Sequence, residues 1–342
     1  MAKIGYNYDI LKAAAIELPW EKLDGCNILI TGATGLIGSC MVEVLMARTQ
    51  RNYHIYACGR NENRAKKRFS AFWEDEKFHF CSYDVLLPLN STVDFHYIIH
   101  AASNASPSFF VQSPVEVIKS NVDGVSNLLD YGKQHHLKRF LFVSSGEVYG
   151  EGDGRVFSED YSGYVDPTNV RSCYPSSKRT AETLCVAYCH EYNLDCVIAR
   201  PCHIYGPHFT ESDNRVYAQF IRNVLKGENI IMKSTGEQFR SWCYVVDCVT
   251  AMLYILLKGK NGEAYNIADS KSNISIKELA EMIAGIGGKK VIMELPDDVE
   301  RKGFNLVSKS VFSTEKINAL GWKPECSIDC NFRKTIMYLE EN

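Results

Sequence analysis

The run Cys26-Asn-Ile-Leu-Ile-Thr31 is short and apolar, and Gly32-Ala-Thr34-Gly35-Leu36-Ile37-Gly38 follows it without a break, opening an apolar helical stretch to about Arg48. That order reads as strand, glycine-rich turn, helix. The glycines let the backbone turn tightly and come close to a pyrophosphate, which then rests on the positive end of the helix. The spacing is G-x-x-G-x-x-G rather than the commoner G-x-G-x-x-G, so taken alone it also fits a turn that binds nothing. Further strand-like runs at 27–31, 54–58, 78–83, 97–100, 140–144 and 196–199 alternate with helical stretches. Near-continuous apolar strands alternating with helices predict an α/β fold, a doubly wound parallel sheet covered on both faces. Ligand then belongs in the crevice at the carboxyl ends of the strands.

The segment Tyr174-Pro-Ser-Ser-Lys178-Arg sets a phenol and an ammonium four residues apart. On a helix such a pair shares one face, about 6 Å apart along the axis. A lysine held there is expected to stabilise the phenolate and draw Tyr174 below the ordinary value of about 10, each unit being worth about 1.4 kcal/mol. Tyr174 would then suit proton exchange in carbonyl/alcohol redox chemistry. The pair gains its force from the glycine turn upstream.

Composition bounds the rest. A chain of 342 residues can bury a large core, and the pattern changes after Pro201. The organisation expected is an N-terminal helical extension over 1–24 beside the first strand, a dinucleotide-binding domain over 25–201 with 244–268 packing back on it, and a mainly substrate-binding lobe over 202–342. A net charge of −3 gives no general attraction to nucleic acid or to anionic membranes, and no apolar run is long enough to span a bilayer. Thirteen cysteines form no C-x-x-C pair. Cys185/Cys189 and Cys326/Cys330 stand at helical spacing, where buried Cys acts as a small hydrophobe, and no metal is expected. An odd cysteine count in a chain whose start lacks an apolar secretion core points to a reducing cytoplasm.

Beyond these two motifs stand Tyr83-Asp84-Val85, His100-Ala101-Ala102-Ser103, Asn121-Val-Asp-Gly124, Val143-Ser-Ser145-Gly-Glu147-Val-Tyr-Gly150, Arg200-Pro201 and Tyr205-Gly-Pro207. With them the chain resembles the extended short-chain dehydrogenase/reductases of the nucleotide-sugar epimerase/dehydratase type, from about Asn27 to the C-terminus. The resemblance implies a Rossmann domain with a smaller C-terminal α/β substrate lobe. It implies a catalytic set of Ser145, Tyr174 and Lys178, with Ser145 on the reacting sugar oxygen, Lys178 also on the nicotinamide ribose, and Glu147 orienting the sugar. For the cofactor it points to Gly32, Thr34, Gly35, Leu36, Ile37 and Gly38 at the pyrophosphate and to Asp84 and Val85 at the adenine. Ala101, Ala102, Ser103, Asn121 and Pro201 would line the remaining cofactor path. For the substrate it points to Ser106, Ser145, Glu147 and His203, with Arg215 and Arg240 gripping a nucleoside diphosphate. It also implies a homodimer built on helices near 115–131 and 175–192.

The end of the second strand bears on the cofactor. NAD enzymes usually carry an acid there for the ribose 2′-hydroxyl, whereas an Arg accommodates a 2′-phosphate. Here the run is Tyr56-Ala-Cys-Gly59-Arg60-Asn61, with no acid until Glu62. Arg60 therefore predicts NADP, NAD remaining open. As to reaction, 4,6-dehydratases carry an Asp-Glu pair after the Ser/Thr; Gly146 stands in the first position, so dehydration ranks low. UDP-glucuronate decarboxylases resemble the chain more closely around Arg171-Ser-Cys-Tyr174 and Lys178-Arg-Thr-Ala-Glu182, but commonly carry Asn where His203 sits. Arg60 tips the expectation towards a 4-ketoreductase: NADPH-dependent reduction of the C4 carbonyl of a nucleotide-linked 4-keto-6-deoxyhexose, for surface polysaccharide sugars. The decarboxylase follows it closely and a 4-epimerase comes third. The alternative of another class is a non-catalytic NADP-binding sensor or scaffold.

Overall fold

The computed structural model describes residues 5–211, 213–294 and 309–341. Its main sheet has seven strands, all parallel: β1 (Cys26–Thr31), β2 (Tyr53–Gly59), β3 (Phe78–Ser82), β4 (Tyr97–His100), β5 (Arg139–Val143), β6 (Cys196–Pro201) and β10 (Ala264–Ile267), in the spatial order β10-β6-β5-β4-β1-β2-β3. β4 is buried along its whole length, and β1 and β5 nearly so. Apolar side chains on both faces of a strand leave it no other stable place than between two helical layers.

From β1 the chain winds outward through β2 and β3, then returns to the other side of β1 at β4. The reversal opens a crevice at the carboxyl ends of β1 and β4, where Thr31 and His100 are register partners. The helices that cover the sheet include α2 (Leu36–Ala47), α3 (Glu62–Arg68), α4 (Pro107–Gln112), α5 (Pro114–Gln134) and α6 (Cys173–Tyr192).

The remaining strands build the upper lobe. β9 (Phe239–Tyr244) pairs with β7 (His203–Tyr205), β11 (Asn273–Ser275) and β13 (Lys309–Ser310), while β8 (Ile230–Met232) pairs with β12 (Val291–Met293). Among its helices, α7 (Val216–Leu225) follows the loop after β7. α9 (Ile276–Ile286) starts at a capping box, in which Ser275 and Glu278 satisfy each other's backbone N–H groups. α8 (Val245–Lys258) is apolar and almost wholly buried, and packs against the main sheet at β5, β6 and β10. α10 (Glu315–Ala319) and α11 (Ile328–Glu341) close the chain. No helix among the described residues is long and apolar enough to cross a membrane.

One placement differs from the sequence reading. α1 (Tyr6–Ala14) does not lie beside β1; it packs on α2, α8 and α11. Two polar side chains on its buried face explain the choice. Tyr6 donates to Glu43 of α2, and Asp9 takes Lys334 of α11 at 2.9 Å.

Below the sheet Asp247, in the first turn of α8, is buried and accepts from the backbone N–H of Glu325 at 3.3 Å. Burial, with Asp269, Glu325 and Asp9 nearby, raises its carboxyl to about 7. A raised acid is favoured in its protonated form by the fold, so this contribution is complete below the ordinary carboxylate range and is lost as pH rises towards 7. Asp247→Asn, which stays neutral, should gain stability relative to wild type between pH 4 and pH 8, by about 1 kcal/mol or more. Urea unfolding of both proteins across that range measures it; a constant gap would refute the assignment.

Candidate active site

The glycine turn is shaped by contacts that leave no room for a side chain. Gly32 has φ +65°, and a Cβ there would stand 2.7 Å from the Ala101 carbonyl carbon and the Ala102 nitrogen. A Cβ on Gly38 would run into the Gly32 carbonyl oxygen, and one on Gly35 would lie 3.2 Å from the same atom. The turn is thus pressed against the loop after β4, and α2 begins at Gly35 with no side-chain cap. The leading N–H groups of a helix lack intrahelical partners, so this cradle fits a dinucleotide pyrophosphate.

Side chains hold the crevice walls in register. Thr31 Oγ1 lies 2.7 Å from His100 Nδ1 and accepts from the Ala102 N–H at 3.4 Å. Ser103 donates to Asn121 Oδ1 at 2.8 Å, and Asn121 donates to Ser177 Oγ at 2.9 Å. Asn121 therefore ties α5, α6 and the β4 loop together. Val85 packs over Gly124 of α5, while the Asp84 carboxylate caps its own turn by accepting from the Leu86 N–H. Pro201 is buried at the end of β6, and Leu36 lies against Gly206 after β7.

Arg60 sits on the rim and is largely exposed. Its guanidinium faces the Glu116 carboxylate at 3.8 Å, and Glu116 also accepts from Asn104. The basic side chain that reaches the glycine turn is Arg64, donating to the Thr34 carbonyl at 3.0 Å. In sequence Arg64 opens the short basic run 64–68, which reads as a solvated helix face; the structure turns it to the glycine turn instead.

Tyr174 and Lys178 lie at the start of α6, both buried. The Tyr174 ring stacks on Phe110 of α4, with centroids 4.6 Å apart and planes at 18°. The expected direction of its acidity is reversed. Burial foremost, and then the Glu147 charge, raise the phenol to about 12, against hydrogen bonds from Ser145 and Ser103 and the charge of Arg215. Lys178 is turned elsewhere: its ammonium donates to the Val143 carbonyl at 2.9 Å and lies 5.8 Å from the Tyr174 ring centre. Burial lowers it to about 7, with Glu182 and Cys185 opposing. Helical spacing alone could not foresee this, because burial acts on both groups and the lysine has a closer carbonyl.

Ser145 begins the turn after β5 and accepts from the Glu147 N–H at 3.2 Å. Glu147 forms a bidentate pair with Arg171, both bonds 2.9 Å, and Arg171 lies over Phe110. Between them, Gly146 is covered by Phe312, which follows β13, so closely that a Cβ would collide with the ring.

The upper lobe brings its cations to the same cleft. Arg215 is held by Asp213 and reaches the Ile204 carbonyl at 3.4 Å. Arg240, on β9, is buried and feels the Glu147 charge. His203 is open to solvent along the cleft but enclosed by protein elsewhere. That enclosure first, and then Arg240 and Arg215, lower its imidazole to about 3. Ser106 bridges the lobes at the rim, donating to Asn214 at 3.1 Å.

The cleft thus gathers a glycine cradle, a buried Tyr/Lys pair beside the half-buried Ser145, and several cationic side chains. A family model described as NAD dependent epimerase/dehydratase matches residues 28–268, from inside β1 to just past β10. The chain belongs to this family. It is an enzyme of the extended short-chain dehydrogenase/reductase type. Among its relatives, UDP-glucuronic acid decarboxylase 1 of Xenopus tropicalis is 31% identical over 322 residues, covering 93% of this chain and 73% of the relative. UDP-glucuronic acid decarboxylase 3 of Arabidopsis thaliana is 34% identical over 324 residues, covering 92% and 88%. Among solved structures, a UDP-glucose 4-epimerase from Thermotoga maritima aligns with TM-score 0.79 at 24% identity, covering 92% of this chain and 99% of its own. A dTDP-glucose 4,6-dehydratase from Streptomyces venezuelae, solved with NAD, aligns at 0.79 and 23%, covering 92% and 97%. At such identities the structures establish the fold.

Within the epimerase/dehydratase frame, sequence reasoning passed over Phe110, Glu116 and Phe312. None carries a local signal, because each acts on a residue far from it along the chain. Arg171 was noted only as part of a resemblance; its place three residues before Tyr174 is the hint that was available.

Proposed function

We propose that this enzyme decarboxylates a nucleotide-linked hexuronate, UDP-glucuronate being the substrate to which its relatives' names point. The observation that carries the reading is Arg171. Arg215 and Arg240 match positions for a diphosphate; Arg171, three residues before Tyr174 and held by Glu147, offers a guanidinium that a substrate carboxylate near the reacting carbon would engage in place of that pair. Eight decarboxylase relatives at 31–34% identity support it. The ring of Phe312 over Gly146 opposes dehydration, since no acid fits there.

The Gly32–Gly38 cradle would hold a nicotinamide dinucleotide, which would supply a reversible hydride acceptor for C4. Tyr174 takes the C4 hydroxyl proton as the ketone forms, and Ser145 holds the oxygen. Ser145, Ser103 and Arg215 are the groups that favour the phenolate this requires. A C4 ketone is β to the C6 carboxylate, so the C5–C6 bond breaks with its electrons moving onto the C4 oxygen, and CO2 leaves. Hydroxyl donors on that oxygen stabilise the enolate. A proton drawn from solvent then takes the place of the lost carboxylate at C5, and Tyr174 gives the proton it took from the C4 hydroxyl back to that oxygen when C4 is reduced. Arg215 and Arg240 anchor the diphosphate throughout.

The cofactor in this reading is NAD. Glu116 already faces Arg60, and a carboxylate there opposes a 2′-phosphate. We also take the enzyme to be a homodimer through α5 and α6, where Val115, Ile118 and Val186 are exposed. The test is to incubate the NAD-loaded protein with UDP-glucuronate and follow CO2 and nucleotide products. Release of CO2 with no net change in reduced nicotinamide is expected. Inertness towards UDP-glucuronate, together with NADPH consumption on dTDP-4-keto-6-deoxyglucose, would replace this reading with the ketoreductase.

A further inference from the structure

Behind the catalytic lysine lies a buried charge cluster that the reaction above does not use. Glu182, one helical turn beyond Lys178 on α6, is buried. It takes Arg200 of β6 in a forked pair, with bonds of 2.7 and 3.0 Å, and accepts from Ser144 Oγ at 2.5 Å. Ser144 follows Val143, whose carbonyl receives the Lys178 ammonium at 2.9 Å. Two adjacent residues at the end of β5 therefore fasten both the lysine and the glutamate. Arg200 is fixed in turn by the Tyr149 hydroxyl at 3.1 Å and the Glu159 carbonyl at 2.7 Å.

The group contains one buried cation, Lys178, one half-buried cation, Arg200, and one buried carboxylate. In an apolar interior an ammonium without a counter-charge gives up its proton rather than remain charged. The titratable groups facing Lys178 are few: Tyr174, Glu182 and Cys185 on its own helix, and His100 from β4. His100 is held neutral, to about 3, by burial and by Lys178 itself. Tyr174 is protonated in the free protein. Glu182 is the carboxylate left to balance the lysine, and Arg200 competes for it.

We propose that Glu182 is the positioning residue that keeps the Lys178 ammonium charged beside Tyr174, and that Arg200 sets how much of that carboxylate the lysine feels. The arrangement makes opposite demands on its two ends. Neutralising Glu182 leaves Lys178 and Arg200 facing each other without a counter-ion, so the lysine loses its proton more readily. Removing Arg200 frees the carboxylate for Lys178, so the lysine keeps its proton longer. A purely structural ion pair would move the lysine in neither pattern. The inference holds whichever sugar the site turns over.

The test is a direct titration of the lysine. In full-length protein carrying ε-13C lysine, the resonance missing from Lys178→Met reports Lys178, and its shift is followed from pH 5 to pH 10. In Glu182→Gln the midpoint should fall by about one pH unit or more, a tenfold change in the protonation equilibrium. Glu182→Asp, which keeps the charge, should stay near wild type. In Arg200→Met the midpoint should rise. The two charge-changing variants test the idea independently, so a failure of either to fold leaves the other decisive. An unmoved midpoint in Glu182→Gln, or one that does not rise in Arg200→Met, overturns the proposal. Because no turnover is needed, this result is separate from success or failure of the decarboxylation assay.

Discussion

Tyr174→Phe lowers turnover by about 10²–10⁴-fold, the range expected when a positioned acid–base group is lost, while cofactor affinity stays within about twofold. The ring of the variant can keep its stack on Phe110, so the α4–α6 contact that shapes the cleft is preserved. What disappears is the hydroxyl that meets Ser145 and Ser103. Reduced-nicotinamide binding by fluorescence and product formation in a single turnover separate the two effects. A comparable loss of both would mean that the substitution had disturbed the site rather than removed a proton carrier. A variant as active as wild type would remove Tyr174 from the chemistry.

Gly38→Ala weakens dinucleotide binding by up to about two orders of magnitude. The added methyl meets the Gly32 carbonyl oxygen, and Gly32 itself faces the Ala101–Ala102 peptide so closely that a side chain there would collide with it. Both obstacles are backbone, so no flexible side chain can move aside. Strain of about 1–3 kcal/mol in a closed turn corresponds to about 5–150-fold in affinity. Gly35→Ala, with 3.2 Å of clearance from the same oxygen, should cost less. Calorimetric titration with NAD against the two variants gives the order directly; equal affinities would show that the turn does not close on the cofactor.

Much of this architecture was legible in the sequence because its signals are local. The apolar run 26–31 and the glycines after it need only their own neighbours to define a strand and a turn, and β1 occupies those residues. Tyr174 and Lys178 are on one helix, as their spacing implied; that both are buried was not legible from it. Their electrostatics were not legible. Whether a lysine lowers a phenol depends on what else surrounds the pair, and here burial and Glu147 outweigh it. The same limit applies to Arg60, whose partner Glu116 lies on another element. Gly146 gave half of its meaning, the missing acid; the other half, the Phe312 ring that forbids one, comes from the far end of the chain.

The central claim is that hydride leaves C4 and returns to it within one catalytic cycle while CO2 is lost. UDP-glucuronate deuterated at C4 tests this directly, with the pentose product examined by mass and by NMR. The account predicts a UDP-pentose that keeps its deuterium at C4, formed with CO2 and with no net oxidation or reduction of nicotinamide. A product without deuterium at C4, or no decarboxylated product at all from the NAD-loaded enzyme, would contradict it.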